Sequence, residues 1–477
     1  MNRQPVQPNQ PVAINLIASS HVTKPRRVSL NAKNEIVTRS FTGHFRNLRI
    51  SIASVLILIF FGTSWLQWNG RQAVLWDLDE RKFYIFGATF WPQDFTLLSA
   101  FLIISAFGLL AANVFVGRVW CGYTCPQSVW TWAFMWVEKV TEGDRNQRIK
   151  LATENWSPRK IFKRTMKHGM WLGISAATGI AFIGYFVPVR ELTYEIITGQ
   201  WFSASAFWVS MFALATYANA GWLREQVCLH MCPYSRFQSV MFDKDTLVVT
   251  YDSLRGEGRG SRKKDEDYKA QGLGDCIDCQ QCVQVCPTGI DIRNGLQIDC
   301  IGCAACVDAC DSIMDKMNYP RGLIKYTSEN KQEGKPSKVF RPLVISYTAA
   351  LVVVIFTLGF ILQERELVDV SVMKDRNMFR INSDGKVANV YRLKITNKTQ
   401  QAQTYKVNLE KTDALVLQRH YELSLDAGEM IDLPVSVIKI NRTSDGEGLI
   451  RFAFKITNVN DESVIKESNA NFNYPIH

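Results

Sequence analysis

The chain has 477 residues, of which 47% are apolar and 21% charged, and its net charge is +11. So apolar a composition excludes an intrinsically disordered chain. A mean hydropathy of −0.05 would suit a single soluble globule, but the clustering of the apolar residues excludes that reading.

Residues 1–48 are polar and basic with little periodic pattern, and they are expected to form a mobile cytoplasmic tail. Five stretches then lack Asp, Glu, Lys and Arg and are long enough to cross a bilayer. They are Ile50–Trp68, Phe95–Val116, Met170–Val189, Trp201–Trp222 and Leu343–Leu362. They are apolar nearly all round, whereas a buried core helix normally keeps a polar face. About fifty residues precede the first stretch, so it is expected to be an uncleaved anchor.

Basic residues near the span ends predict orientation. Eight Lys/Arg precede the first span, three lie in 69–94, ten in 117–169, and only Arg190 in 190–200. This alternation places the N-terminus in the cytoplasm, and five crossings put the C-terminus outside. The basic balance therefore needs no nucleic-acid partner; membrane lipid is the expected surroundings. The run Arg259 to Lys264 is followed at once by Asp265, Glu266 and Asp267, and is read as a solvated linker.

The expected fold class is a multi-domain integral membrane protein. Its parts are a cytoplasmic tail (1–48), a four-span membrane core (49–250), a cytoplasmic ferredoxin-like module (251–340), a fifth transmembrane helix (341–364) and a periplasmic β-sandwich of immunoglobulin-like type (365–477). Together the spans make a five-helix bundle. The sandwich is predicted from alternation in Asn389–Thr396, Gln403–Leu409 and Arg451–Thr457, with turns at Asp384-Gly385, Ala427-Gly428 and Asp445-Gly446. Six or seven short strands are expected.

All twelve cysteines fall into four motifs. Two are ferredoxin runs, Cys276, Cys279, Cys282 and Cys286 followed by Pro287, then Cys300, Cys303, Cys306 and Cys310. Eight thiolates at this spacing predict two [4Fe–4S] clusters and one-electron chemistry. A zinc site more often shows paired cysteines with a longer gap. In such ferredoxins the fourth cysteine of each run serves the other cluster. Cys276, Cys279 and Cys282 are thus expected to act with Cys310, and Cys300, Cys303 and Cys306 with Cys286. The second run lacks the closing proline, which is not a ligand.

The other two motifs are Cys-x3-Cys-Pro, at Cys121/Cys125/Pro126 and Cys228/Cys232/Pro233. Each follows an even-numbered span, so they form a parallel repeat ending on one membrane face. A residue before proline avoids helical geometry, so Cys125 and Cys232 are expected at breaks, with Pro126 and Pro233 opening the next helices. A thiol at a helix N-terminus ionises more readily. Soft thiolates suit Cu(I); the four could instead hold a further cluster or merely pack between helices. His230 and Met231, inside the second motif, are expected to pack. His168 is read as interfacial, and Trp120, Trp130, Trp132 and Trp136 as an interfacial aromatic belt.

Four stretches carry a family resemblance: Val119–Trp130 (VWCGYTCPQSVW), Val227–Gln238 (VCLHMCPYSRFQ), Tyr251–Gly260 (YDSLRGEGRG) and the double ferredoxin run. With the five-span layout and the exported β-domain, the whole chain resembles the CcoG/FixG/RdxA family of cytochrome oxidase accessory proteins. The resemblance implies a bacterial inner-membrane protein that reduces Cu(II) to Cu(I) while the cbb-type oxidase is assembled. Its implied partners are oxidase subunits or copper chaperones and a cytoplasmic electron donor of unspecified identity; a homo-oligomer stays open. It implies that Cys121, Cys125, Cys228 and Cys232 handle copper and act catalytically, and that the eight cysteines from Cys276 to Cys310 hold the clusters. Two other functions compete: an electron conduit to quinone or a membrane partner, and an assembly scaffold acting through the β-domain.

Overall fold

The computed structural model describes residues 36–264, 266–363, 367–375, 379–381, 386–399, 401–410, 412–440, 449–461 and 465–474. It divides into two units, one formed from Met1–Leu66 and Leu98–Phe356, the other from Gln67–Leu97 and Thr357–His477.

Among the described residues, three helices are long and apolar enough to cross a membrane: His44–Trp65, Phe95–Val116 and Pro342–Gln363. The first begins before the expected span, and Trp68 has left it for a short strand, Gln67–Trp68. The expected stretches Met170–Val189 and Trp201–Trp222 fall on helices of different extent. Helix Pro158–Ile183 starts earlier, capped by the Ser157 hydroxyl, which accepts from the Lys160 amide. It stops at Gly184. Pro188 bars continuation because it has no amide hydrogen to donate, and a separate helix, Val189–Ile197, follows. Helix Ala204–Thr216 widens into i→i+5 turns over Tyr217–Leu223 and ends at Arg224, whose φ is 42°.

These helices pack through aromatic side chains. Phe134, Val137, Trp171 and Ala220 form a buried cluster with Trp130 against it. The Phe134 and Trp171 rings stack at 5.2 Å. Trp130 donates its indole hydrogen to Thr178 Oγ1 at 2.9 Å and meets Phe60 edge-on. It is an interior residue, not part of an interfacial belt, because its one polar atom finds a buried partner. Trp136 and Trp120 are exposed. His168 pairs with the Tyr217 hydroxyl at 2.9 Å.

The cluster-bearing module is closed by an antiparallel pair, Val248–Tyr251 with Ile324–Thr327. Between these strands lie helices Gln281–Gln284 and Ala305–Met317. The expected tail lies outside the described residues up to residue 35. Its end is packed: the Arg39 amide donates to the Gln284 carbonyl at 2.9 Å, Val37 is buried, and Phe41 packs on Val285, Cys303, Ala305 and Ala309. Apolar Ile36, Val37 and Phe41 give this stretch the anchor that a mobile segment lacks.

In the second unit two antiparallel sheets face each other. One orders Leu415–Leu417, Met430–Lys439, Val387–Asn397 and Val368–Lys374, with Arg380–Ile381 also pairing to Val387–Asn397; the other orders Tyr421–Leu425, Gln403–Glu410, Leu449–Asn458 and Ile465–Asn473. Period-two alternation sends Tyr391, Leu393 and Ile395 inward, against Phe452, Phe454 and Phe472. The Tyr391 hydroxyl donates to the Asn471 carbonyl at 2.7 Å, satisfying the polar end of a buried ring. The turn at Gly428 is present, whereas those expected at 384–385 and 445–446 lie outside the described residues. The segment expected only as a loop after the first span carries a three-stranded meander, Val74–Asp77, Lys82–Ile85 and Ala88–Phe90. Asp94 ties it to the sandwich through Lys398 at 3.3 Å.

Candidate metal centres

The two ferredoxin runs repeat one backbone course. Two residues after the first cysteine, Asp278 and Gly302 have positive φ (54° and 65°); four after it, Gln280 and Ala304 both have φ 55°. Alternating right- and left-handed residues turn successive amides toward one concavity, a device found around iron–sulfur sites. The Gly302 amide accordingly points at Cys300 Sγ, 3.4 Å away. Each run then enters its short helix, Gln281–Gln284 or Ala305–Met317, carrying its third cysteine.

Two cavities result. One is lined by Cys276, Cys279, Cys282 and Cys310 with apolar Ile313, Met314 and Ile324. The other is lined by Cys286, Cys300, Cys303 and Cys306, with Cys282 at the shared edge. The structure thus groups the last cysteine of each run with the first three of the other. Among the described residues no three His, Cys, Asp or Glu side chains close around a single ion. A cysteine set with apolar walls fits a four-iron cluster, in which each sulfur binds a different iron. Burial pushes the Cys282 thiol up to about 12 against the opposing Arg293 guanidinium, and burial does the same for Cys300. Loading must therefore release protons.

The Cys-x3-Cys-Pro motifs fold identically. The Cys125 amide donates to the Trp120 carbonyl and the Cys232 amide to the Val227 carbonyl, both at 2.8 Å and both five residues back. The chain then breaks at Cys125 (φ −57°, ψ 127°) and Cys232 (φ −82°, ψ 112°), and Pro126 and Pro233 open helices Pro126–Thr141 and Pro233–Val240. A serine seven residues beyond each first cysteine closes the turn: Ser128 Oγ donates to the Cys121 carbonyl at 2.5 Å, and Ser235 Oγ to the Cys228 carbonyl at 2.6 Å.

The two motifs converge. The Cys121 thiol lies within electrostatic range of Cys125 and Cys232, and Cys228 within range of the other three. The ease of ionisation expected at the helix starts does not extend to the first cysteine of each pair. Burial, then Cys125, pushes Cys121 up to about 11, with the Gln238 contact at 3.4 Å and Arg118 opposing. Burial, then Cys125, Cys121 and Cys232, pushes Cys228 up to about 12. These two thiols precede the break by a turn and lie away from the helix N-termini that would favour a thiolate. Met231 is exposed, so it does not supply the packing expected of it.

The four-thiol site abuts the second cluster cavity. A Cβ on Gly122 would lie 2.9 Å from the Gly302 carbonyl oxygen and 3.1 Å from the Cys303 Cα, so only glycine lets the two backbones touch. Arg118, 7% exposed, spans the junction. It donates to the Cys300 carbonyl at 2.7 Å, to the Ser235 carbonyl at 3.0 Å and to the Ile298 carbonyl. Arg49 reaches the Cys303 carbonyl, and the Tyr326 hydroxyl the Gly302 carbonyl. Asp308, between Cys306 and Cys310, accepts from the Phe45 and Arg46 amides at 3.2 and 2.7 Å, capping helix His44–Trp65. Sequence reasoning missed Arg118, Arg49, Tyr326 and Asp308; Arg118 and Asp308 lie within three residues of a cysteine, whereas Arg49 and Tyr326 lie far from one in the chain.

Cysteine-lined cavities on a crossed double run define an iron–sulfur redox protein with a dicluster module. Residues 223–329 match the 4Fe-4S dicluster domain model, and residues 358–475 match the immunoglobulin-like fold at the C-terminus of FixG. The chain is 37% identical over 424 residues to the nitrogen fixation protein FixG of Rhizobium meliloti, covering 81% of each. It is 40% identical to protein RdxB of Cereibacter sphaeroides, covering 82% of this chain and 86% of RdxB. Protein RdxA of the same organism is 36% identical, with 88% of each covered. A FixG-related protein of solved structure from Vibrio parahaemolyticus is 25% identical over 24% of this chain and all of its own, with a TM-score of 0.22. The chain belongs to the FixG/RdxA family.

Proposed function

We propose that this chain reduces Cu(II) to Cu(I) at the four-thiol site, supplying Cu(I) during assembly of a cbb-type cytochrome oxidase. The observation that carries the reading is the convergence of Cys121, Cys125, Cys228 and Cys232 against the loop holding Cys300 and Cys303. Two [4Fe–4S] clusters, held by Cys276, Cys279, Cys282 and Cys310 and by Cys300, Cys303, Cys306 and Cys286, supply single electrons when bound. Each Cu(II) takes up one electron and becomes Cu(I). Soft sulfur ligands favour the reduced ion over the oxidised one. Arg118 and Gly122 keep the substrate site and the cluster loop in register. The raised Cys121 and Cys228 thiols each lose a proton as copper binds. A cytoplasmic donor restores the electron.

We further infer five crossings of a bacterial inner membrane, with the N-terminus and cluster module cytoplasmic and the C-terminal domain periplasmic. The charge alternation between spans supports this, as do the two additional helices that carry the less uniform apolar stretches.

The test is Cu(I) production by purified, prereduced protein. Turnover is expected with Cu(II) and lost when the four cysteines become serine, while iron content is kept. Undiminished turnover in that variant sinks the proposal. Quinone reduction that survives it would favour the conduit reading.

A further inference from the structure

We propose a second site, beside the cluster loops and sharing Arg49 with them: a pocket for the phosphate of an anionic phospholipid headgroup at the start of the first membrane-length helix. The cavity measures about 270 Å³. Five cationic side chains line it, Arg39, Arg46, Arg49, Lys139 and Arg148, against one acid, Asp144. The acid is committed: it accepts from the Ser40 amide at 2.9 Å. Arg148 is also committed, to Glu138 at 2.7 Å and Glu142 at 3.8 Å. Among the described residues, Arg39, Arg46 and Lys139 form no ion pair. Arg49 is only 8% exposed, and its Nε has no acceptor. A buried guanidinium N–H without a partner is costly, and an anionic oxygen would relieve it.

The location selects the kind of anion. Arg46 and Arg49 sit in the first two turns of His44–Trp65, which is long and apolar enough to span a bilayer. Its first turns therefore lie at headgroup depth. Trp132 and Trp136 line the same cavity, and Trp136 is exposed beside exposed Val140. Tryptophan with an apolar face beside cations is the composition of a membrane interface. Basic pockets beside membrane helices take anionic lipid headgroups. The volume suits a phosphodiester and is small for a nucleotide.

The test uses the full-length protein in neutral detergent, titrated with phosphatidylglycerol or phosphatidylcholine and read by native mass spectrometry. One phosphatidylglycerol should be retained per chain, in preference to phosphatidylcholine. The triple variant Arg39→Gln, Arg46→Gln, Lys139→Gln should weaken retention roughly a hundredfold, at about fivefold for each basic side chain near a membrane surface. The charge-keeping variant Arg39→Lys, Arg46→Lys should retain the lipid, and unchanged iron content in both shows that the fold survives. Equal retention of the two lipids, or triple-variant binding like wild type, overturns the proposal. Displacement by inorganic phosphate at the same concentration overturns the lipid assignment in favour of a soluble phosphate ligand.

Discussion

Replacing Arg118 with methionine should strip the second cluster from the protein and leave the first. Arg118 is the only side chain donating to both the Cys300 and Ser235 carbonyls among the described hydrogen bonds, and it also holds the Ile298 carbonyl. Methionine fills similar space but donates nothing. Each lost hydrogen bond is worth about 1 kcal/mol net, and more where the carbonyl stays dry. Three give about 3 kcal/mol, of which the two to Ile298 and Cys300 bear on the 298–303 loop, which carries two of the cysteines lining that cavity. Cys276, Cys279, Cys282 and Cys310 line the other cavity and make no contact with this donor set. Iron and acid-labile sulfide, measured on reconstituted protein, should fall from about eight to about four per chain. Arg118→Lys keeps the charge but not the forked geometry, and should lose less. Full iron content and an unchanged melting temperature in Arg118→Met would refute the role given to this side chain.

Gly122→Ala should lower stability by about 1–3 kcal/mol, because its Cβ meets backbone that cannot swing aside; Gly173→Ala, with nothing within 4 Å, is the control and should not destabilise in thermal unfolding. Asp308→Ala removes two amide contacts at the start of His44–Trp65 and should cost about 1–2 kcal/mol by the same readout. Burial would raise the Glu138 carboxyl, but Arg224 and Arg148 outweigh it and hold it below its ordinary range. Its contribution is therefore full above the ordinary glutamate value and is lost as pH falls through the lowered one. Glu138→Gln should cost about 3 kcal/mol near neutrality and flatten the fall of melting temperature in acid.

Much of this architecture was legible because its signals are local. The cysteine spacings marked the loops that line the two cysteine-rich cavities, and the prolines after Cys125 and Cys232 marked the helix breaks that the backbone shows. Alternation in 389–396 located a central strand with its inward face. What was not legible depends on contacts between distant segments. Nothing near Gly122 in the chain announces that Gly302 lies against it, and Arg118 reads as an ordinary loop-end cation until its three carbonyl partners are seen. The third expected span differs in extent from its helix because an apolar count ignores Pro188, and the widened turns over 217–223 in the fourth leave no mark in composition. The thiols of Cys121 and Cys228 read as reactive from the motif, yet burial sets their protonation, and burial is tertiary.

The central claim is that four sulfurs from two motifs make one copper site beside the second cluster. Anomalous-scattering maps at the iron and copper edges, from crystals of the protein loaded with both metals, test it most directly. The account predicts iron in the two ferredoxin cavities and copper among Cys121, Cys125, Cys228 and Cys232. Iron at those four cysteines, or copper bound elsewhere with the four sulfurs bare, would contradict it.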